Sequence, residues 1–543
     1  MWPSNEHDNQ VLNLSPFEVQ FNERRQFFTE GTELFNKRGV FYSRRIGGTP
    51  INLGKVYEGL DSTEIVTENP ASAQLLNATK LSGRTKKGTG IGFFNAISGI
   101  EQAIIRDTIT GKQRSVETSP LTNYNVLVID QNLKNNSSIT FTNTNVWRSG
   151  HTYDANVLSL GTNLLTKNLK YNLFGGVNLS QKYFQDSVGK GYQYNFGFGK
   201  ATGNFLWAAD YSEIGSDYDP NDLGFLTIRN IRTANAGVEY NIYKPFWKLY
   251  RMWSSFYMTY ERIIDPNEFA GLSLSGSVNG TFKNFMTAGV NIYAEPIKNR
   301  DWFEPRVSGR FYEKDEQVRL GGFISSDYSK PFALDMTGNA SWFNEVGRWL
   351  FNLEVSPRFR FSDKFFVVYT AGTSYAIREE GAALTYDFEL PFEGGNPIFS
   401  IRDRFTFTNT INADYIFTNR MGLTFRLRHY WSKVTYEDFY VLNEQGQFDE
   451  TTYSGEDDLG NSLHNNNYDA FTIDMVYRWV FAPGSEMTLV WKNSIFSFSQ
   501  AVENNYVENI NALMQNNPAT NGLSLKIIYY IDSWQVSQNF KKL

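Results

Sequence analysis

The chain has 543 residues, of which 16% are aromatic and none is cysteine, and its formal net charge is −6. The lack of cysteine excludes disulfides and thiolate metal sites, and the acidic balance argues against a nucleic-acid partner. No run of about 20 apolar residues occurs, which excludes a bundle of transmembrane helices. Strands that face lipid on one side only remain compatible with a mean hydropathy of −0.42.

The first ten residues, MWPSNEHDNQ, have neither the basic region nor the apolar region of a secretory signal peptide. Together with the membrane strands described below, this predicts that the sequence is an N-terminally truncated fragment of a longer secreted precursor.

Residues 16–35, PFEVQFNERRQFFTEGTELF, combine five Phe with two Arg and four Glu and follow neither a helical nor a strand period. We expect residues 1–77 to form a plug-like or periplasmic segment and residues 78–543 to form a barrel. A segment inside a barrel needs charges to bond a polar wall and large rings to hold its own shape. Because buried charges are tolerated only when they are paired, Arg24 and Arg25 should meet carboxylates. A soluble periplasmic tail or a linker remnant is the open alternative.

From about residue 78 onward, strand-like segments of about 9–14 residues alternate apolar and polar side chains. Residues 347–361, GRWLFNLEVSPRFRF, show this pattern most clearly. The residues expected to face lipid include Phe351, Leu353, Phe471, Met475, Leu525 and Ile527, and their neighbours Asn352, Glu354, Thr472 and Asp474 are expected to face inward. The polar positions are rich in Ser, Thr, Asn and Gly, which favours a membrane barrel over a soluble all-β protein.

About 22 such segments, within a range of about 20 to 24, predict an all-β fold: a large antiparallel transmembrane β-barrel with the plug-like segment at its N-terminus. Connections near the C-terminus alternate in length. Residues 362–364, 418–420 and 482–486 are tight turns, and residues 377–396, 435–465 and 499–520 are long loops. Short periplasmic turns and long extracellular loops are typical of the bacterial outer membrane. The expected partners are outer-membrane lipid and lipopolysaccharide, and the barrel-assembly machinery during biogenesis.

Several long stretches resemble a known family. They are NLSPFEVQFNERRQFFTEGTELF, FYSRRIGG and NATKLSGRTKKGTGIGFFNAISG near the start, and IRDRFTFTNTINADYIF, RLRHYWSKVTYEDFYVLNEQGQ and VYRWVFAPGSEMTLVWKNSIF near the end. The resemblance, over about residues 12–532, is to a large outer-membrane β-barrel family of Bacteroidetes. Its members carry a C-terminal domain of unknown function, usually behind a family-nine carbohydrate-binding module. That module is absent here, so the resemblance implies a fold and a location rather than sugar binding by the module.

Charged residues of the first segment and of the inward strand positions are the candidates for plug and lumen contacts. They are Glu18, Glu23, Arg24, Arg25, Glu30, Arg44, Arg45, Glu354, Arg358, Arg360, Arg404, Asp414, Arg426, Arg428, Asp474 and Arg478. The arginines are expected either to form a basic ladder for anionic solutes or to be neutralised by carboxylates such as Glu354 and Asp414.

Other motifs carry weaker signals. GTGIG at 88–92 has no helix after it, so strand glycines are favoured over a phosphate loop. The acidic loop 435–465 lacks the ligand spacing of a Ca²⁺ site and is expected to be solvated. His429 shares its strand face with Leu427 and Trp431 and is expected at the outer membrane interface. No nucleophile elbow or HExxH spacing occurs, and neither a cofactor nor a metal site is predicted.

Three functions remain open. The first is a plugged or gated channel for polar solutes such as oligosaccharides. The second is a structural or assembly scaffold for an outer-membrane complex, with outer-membrane lipoproteins as possible partners. The third is an outer-membrane glycan hydrolase, which the absence of a recognisable catalytic motif disfavours.

Overall fold

A computed structural model describes residues 11–23, 25–29, 33–150 and 152–530. Helices are few: α1 (Gln26–Thr29), α2 (Tyr506–Asn516) and two 3₁₀ turns at Ser43–Arg45 and Leu53–Tyr57. Among the described residues, no helix combines the length and the apolar character that a membrane crossing requires.

The strands, in chain order, are β1 (Glu64–Glu68), β2 (Leu75–Arg84), β3 (Thr89–Ser98), β4 (Glu101–Asp107), β5 (Gln113–Ser119), β6 (Thr122–Asn132), β7 (Ser138–Arg148), β8 (Asp154–Leu165), β9 (Tyr171–Tyr183), β10 (Val188–Lys200), β11 (Phe205–Ile214), β12 (Ile231–Ile242), β13 (Leu249–Ile263) and β14 (Phe269–Phe282). They continue as β15 (Thr287–Glu295), β16 (Asn299–Asp301), β17 (Tyr312–Lys314), β18 (Gln317–Ser325), β19 (Phe332–Phe343), β20 (Trp349–Ser362), β21 (Phe365–Ala382), β22 (Phe392–Glu393), β23 (Asn396–Thr418), β24 (Met421–Leu442), β25 (Phe448–Asp449), β26 (Asn466–Ala482), β27 (Ser485–Ser499) and β28 (Thr520–Ile528).

The fold is all-β, with one large antiparallel sheet of 23 strands, which confirms the predicted class and sheet type. The strand number lies within the predicted range, although β22 and β25 have only two residues each. Two small sheets stand apart from the large one: β1–β4–β5 and β16–β17. The sequence pattern did not separate β4 and β5 from the strands that precede and follow them.

Contacts divide the chain into two compact units. Among the described residues, unit 1 comprises Phe17–Glu239 and Tyr257–Ala270, and unit 2 comprises residues 11–16, Tyr240–Phe256 and residues 271–530. In unit 1, antiparallel ladders join β2, β3, β6, β7, β8, β9, β10 and β11 in that order. In unit 2, they join β14, β15, β18, β19, β20, β21, β23, β24, β26, β27 and β28 in that order.

The register of unit 1 separates two faces of its sheet, because successive side chains of a strand point to opposite sides. One row across the ladders contains Ile91, Ile129, Phe141, Leu160 and Val177. Four of these five are exposed large apolar residues, and we call this the apolar face of unit 1. The neighbouring row on the opposite face contains Gly92, Val128, Thr142, Ser159 and Asn178, and the last four of these are buried.

The register of unit 2 gives the same division. An apolar row runs through Ile324, Met336, Val355 and Ala371, and the predicted lipid-facing residues Phe351, Leu353, Phe471, Met475, Leu525 and Ile527 all lie on this apolar face. Asn352, Glu354, Thr472 and Asp474 lie on the opposite face, where Asn352 donates a hydrogen bond from Nδ2 to Asn339 Oδ1 at 3.0 Å. A strict period of 2 therefore identified the correct partition of side chains.

The turns and loops of unit 2 differ from the sequence expectation at one set of ends. The connections 363–364, 419–420 and 483–484 are as tight as predicted. The long connections are shorter than predicted because β21 continues to Ala382 and β24 continues to Leu442. Residues 377–382 and 435–442 were expected in loops because connections of alternating length were assigned there, yet β21 and β24 continue through them and largely pair with β23.

The predicted boundary between residues 77 and 78 falls inside β2, and β1 at Glu64–Glu68 lies within the segment expected to lack strands. That expectation is corrected for β1, which pairs with β4 rather than with the large sheet. Val56 of the second 3₁₀ turn packs against Ala103 and Ile105 of β4 and forms the core of this small sheet. The division of the chain into a segment 1–77 and a barrel 78–543 stays a prediction.

Candidate functional site

Residues 17–49, which we call the N-terminal segment, pack through their described side chains on the opposite face of unit 1. Phe35 is 1% exposed, and its ring centroid lies 6.4 Å from that of Phe94 in β3. The buried members of this core are Phe28, Leu34, Phe35, Ile46, Phe94, Ala96, Tyr124, Val126, Val128, Val146, Ala155 and Leu223. The rings that make the segment unusual as a sequence therefore form a hydrophobic core with strands β3, β6, β7 and β8.

Arg25 and Glu23, two largely buried charges of the segment, form an ion pair. Arg25 donates to Glu23 Oε2 at 2.8 Å and to the backbone oxygens of Ser43 and Ile46 at 2.8 and 3.0 Å. Burial opposes ionisation of Glu23, but hydrogen bonds from Arg25 and Ser43 outweigh it, so the pKa of Glu23 is lowered. Arg25 thus has the carboxylate partner that its burial requires.

The remaining predicted residues of the segment are more exposed. Arg45 binds Glu18 through both carboxylate oxygens at 2.9 and 2.7 Å, and its Nε donates to Gly224 O at 3.2 Å. Arg44 donates from Nε to Asn22 O at 2.9 Å. The predicted residues Arg24 and Glu30 lie outside the described residues.

Arg38, which the sequence did not single out, anchors the segment to the sheet. Its Nε donates to Asn178 Oδ1 at 3.1 Å in β9 and its Nη2 donates to Asn195 Oδ1 at 2.8 Å in β10. Glycines make room for it: a Cβ at Gly161 would lie 2.9 Å from Arg38 Cδ, and one at Gly176 would lie 2.6 Å from Arg38 Cζ. Two strand glycines therefore form a slot for this guanidinium.

Four charged side chains form a cluster in the same region of unit 1. Arg148 at the end of β7 binds Asp222 at 2.6 Å, and both side chains are more than nine-tenths buried. Lys182 of β9 binds Asp219 at 2.6 Å and lies 3.4 Å from Asp222 Oδ2. Next to them is a cavity of about 200 Å³, lined on one side by the N-terminal segment and on the other by these strands. None of these four residues was predicted.

Three of the six predicted arginines of unit 2 have carboxylate partners, but not the partners expected. Arg404 binds Glu379 at 2.7 Å and Arg428 binds Asp474 at 2.5 Å. Arg478 pairs with Glu486. These contacts favour neutralisation within the sheet over a ladder of unpaired positive charge.

The other predicted residues of unit 2 make polar or ring contacts. Arg426 donates to Asn412 Oδ1 at 2.7 Å, and Asp414 accepts from the Thr424 hydroxyl at 2.6 Å. The Arg358 guanidinium lies 4.7 Å from the centroid of the Tyr328 ring. Glu354 and Arg360 are exposed and share the face of these residues. Asp414 and Glu354 therefore do not serve as the neutralising partners that the sequence suggested.

A further ion pair of unit 2 joins Arg402, which is 5% exposed, to Glu379. Arg402 donates from Nε to Glu379 Oε2 at 3.1 Å and from Nη1 to Ala382 O at 3.1 Å. Glu304, in the connection after β16, accepts from the Ala382 N–H at 3.0 Å. Burial raises the pKa of Glu304, although the charge of Arg402 opposes that shift. Arg402, Glu379 and Glu304 together hold the ends of β21 and β23 to the 302–311 connection.

His429 lies on the apolar face as predicted, but it is not at an exposed interface. It is 2% exposed because α2 covers it. His429 Nε2 lies 2.8 Å from Asp469 Oδ1, and His429 Nδ1 lies 3.2 Å from the Tyr506 hydroxyl at the start of α2. Asn509 of α2 donates to Asp469 Oδ2. The expectation of an outer interfacial histidine is therefore corrected: the helix of the 500–519 connection folds back over this position.

Carboxylates with the spacing of a metal site occur once within the described residues, at Asp315, Glu345 and Glu380. The Arg348 guanidinium binds Glu380 and lies 3.5 Å from Glu345 Oε2, so this group is an ion-pair network. The acidic loop contributes none of its members. In that loop Asp457 accepts backbone N–H bonds from Leu459 and Asn461 at 2.9 and 2.8 Å.

His464, at the end of the 443–465 connection, predicts a pH effect. It is fully buried, with Nδ1 2.9 Å from Leu384 O and Nε2 2.8 Å from the Tyr453 hydroxyl, and burial lowers its pKa. An unfolded histidine binds a proton below about pH 6.5, whereas the buried one does not until lower pH. The contribution of neutral, buried His464 to the free energy of unfolding is therefore complete above about pH 6.5. It is lost as the pH falls from there towards the lowered pKa.

We expect hydrogen exchange at the Tyr386 and Leu463 amides, which donate to Leu463 O and Gly455 O, to accelerate below about pH 6.5 after correction for intrinsic rates. The variant His464→Gln should lose this pH dependence. Equal pH profiles in the two proteins would contradict the assignment.

The comparisons with known proteins give one result. No curated protein matches the chain. A family model matches residues 4–540, which is nearly the whole length. The chain therefore belongs to the family described as a domain of unknown function, DUF5916.

Proposed function

We propose that this protein is a bacterial outer-membrane β-barrel of the Bacteroidetes type, in which the large sheet closes around the N-terminal segment. The segment acts as a plug, and the barrel serves as a gated channel for polar solutes such as oligosaccharides. Outer-membrane lipid and lipopolysaccharide are its surroundings.

One observation carries the proposal: each unit exposes a broad apolar face made by consecutive strands. Ile91 and Phe198 of unit 1 are 49% and 45% exposed, and Val290 and Leu320 of unit 2 are 64% and 50% exposed. Soluble monomers rarely expose contiguous apolar patches of more than a few hundred Å². Strands that alternate between an apolar lipid side and a polar interior are the pattern of outer-membrane barrels.

Two further features support the proposal. The connections of unit 2 are tight at 363–364, 419–420 and 483–484 and long at 383–395, 443–465 and 500–519, which is the asymmetry of periplasmic turns and extracellular loops. The N-terminal segment packs on the face opposite the apolar one. Barrels of about 22 strands enclose a lumen that their own side chains do not fill, and known examples are plugged.

The test is single-channel conductance of the pure protein in a planar bilayer. A variant lacking residues 1–49 keeps Val56, which belongs to the core of the β1–β4–β5 sheet, and removes the packed rings. We expect this variant to conduct several-fold more than the intact chain. Arg38→Ala should increase the frequency of opening, because it removes the bonds to Asn178 and Asn195.

Arg106→Ala is the matched control, since Arg106 is exposed on β4 of the small sheet. It should leave conductance unchanged. If neither the truncated variant nor Arg38→Ala alters conductance, the proposal that the N-terminal segment acts as a plug is wrong. If no variant conducts and a partner co-purifies in stoichiometric amount, the scaffold function replaces the channel.

A further inference from the structure

The cavity of about 200 Å³ in unit 1 is built from two parts of the chain. Arg45 and Thr49 of the N-terminal segment line one side, and Arg148, Tyr153 and Lys182 line the other. Any molecule in this cavity touches both the segment and the strands on which it packs.

The charges around the cavity are balanced. Arg148 is paired with Asp222, Lys182 with Asp219 and Arg45 with Glu18. Since each cation already has a carboxylate within 2.7 Å, an anionic ligand would meet no uncompensated positive charge. The balance favours a neutral, polar ligand.

The cavity also has a hydrogen-bond acceptor that the protein satisfies only in part. Asp222 Oδ2 is buried and accepts no hydrogen bond of normal geometry, although Lys182 Nζ lies 3.4 Å away and the Tyr153 hydroxyl interacts with the same carboxylate. An ionised carboxylate only accepts hydrogen bonds, so its complement is a ligand hydroxyl. The lining residues Ser119 and Thr122 add hydroxyl groups, and the Tyr124 and Tyr153 rings add aromatic surface. Hydroxyl, carboxylate and ring surfaces together suit a polyhydroxylated ring.

We propose that this cavity binds one ring of a neutral sugar, with a sugar hydroxyl donating to Asp222 Oδ2. The ligand would bridge Thr49 in the N-terminal segment and Lys182 in β9, and so favour the packed position of the segment. The proposal deepens the channel function by naming a solute class and rests on it for its physiological meaning. Binding itself is measured without any channel.

The experiment is saturation-transfer NMR and calorimetric titration of the full chain in detergent with D-glucose, D-mannose and N-acetylglucosamine. D-glucuronate and inorganic phosphate serve as anionic probes. A single ring in such a site is expected to bind in about the millimolar range. Thr49 is exposed, lines the cavity and belongs to none of the ion pairs, so Thr49→Trp should fill the cavity and weaken binding by about tenfold or more.

Ile109→Trp is the matched control, because Ile109 is 78% exposed in the turn between β4 and β5. It should leave sugar binding unchanged. Binding of only glucuronate or phosphate, binding that survives Thr49→Trp, or no binding of any probe would each overturn the proposal. Sugar binding by a protein that shows no conductance would instead support the sugar site and contradict the proposed channel function.

Discussion

Replacing Arg148 by alanine is expected to lower the free energy of unfolding by about 3–5 kcal/mol, because it leaves Asp222 buried without its closest cation. The Arg148 and Asp222 side chains are only 7% and 6% exposed, and the pair is joined at 2.6 Å. Lys182 Nζ, at 3.4 Å from the other Asp222 oxygen, is already bound to Asp219 and compensates only in part. Urea unfolding in detergent micelles measures the loss.

The matched control is Arg114→Ala in the same unit. Arg114 binds Glu64 at 2.7 Å, but its side chain is 47% exposed, so its loss should be nearly neutral. The double variant Arg148→Met with Asp222→Asn should recover a large part of the stability, because no charge is then left buried. If Arg148→Ala costs no more than Arg114→Ala, the pair does not hold this region together.

The second large effect concerns the apolar face. Leu353→Arg should cost about 2–4 kcal/mol if Leu353 lies near the middle of the membrane, whereas Asn352→Arg on the opposite face should cost much less. The two positions are adjacent in β20, so backbone and strand propensity are closely matched. Folding into lipid vesicles, followed by denaturant titration, gives both values. Equal costs would show that the apolar face does not meet lipid.

The face on which each side chain lies was predictable, because successive side chains of a pleated strand point to opposite faces of the sheet. The period of 2 in residues 347–361 placed Leu353 and Asn352 on opposite faces of the sheet, and the same argument held for Phe471 and Thr472. Strand ends were less predictable. The alternation of connection lengths assigned residues 377–382 and 435–442 to loops, but that alternation does not fix the residue at which a strand ends, and β21 and β24 continue through these residues.

Membership of a sheet could not be deduced from alternation either. β4 alternates like its neighbours, with Ala103 and Ile105 buried, yet it pairs with β1 and β5 rather than with β3 or β6. Pairing partners depend on contacts between segments that are distant in sequence, and a local period carries no information about them.

The candidate site was predicted in part. The concentration of Phe and paired charge in the N-terminal segment pointed to packing against a wall. Phe35 has such contacts, whereas Arg25 is paired within the segment. The period of 2 along the strand predicted the face on which His429 lies. It could not predict which residues cover His429, because Tyr506 lies 77 residues further along the chain. Arg148 and Asp222 had no visible signal beyond a charge at a strand end and an acidic connection.

The Arg38 anchor has a consequence for the order of folding. In each unit the ladders of the large sheet join strands that are near neighbours in the chain, so most contacts close short loops and are expected to form rapidly. Arg38 instead reaches Asn178 and Asn195 across 140 and 157 residues. Those bonds cannot form before β8, β9 and β10 have assembled the glycine slot. Docking of the N-terminal segment is therefore a late kinetic step, which waits for strands that follow it in the chain.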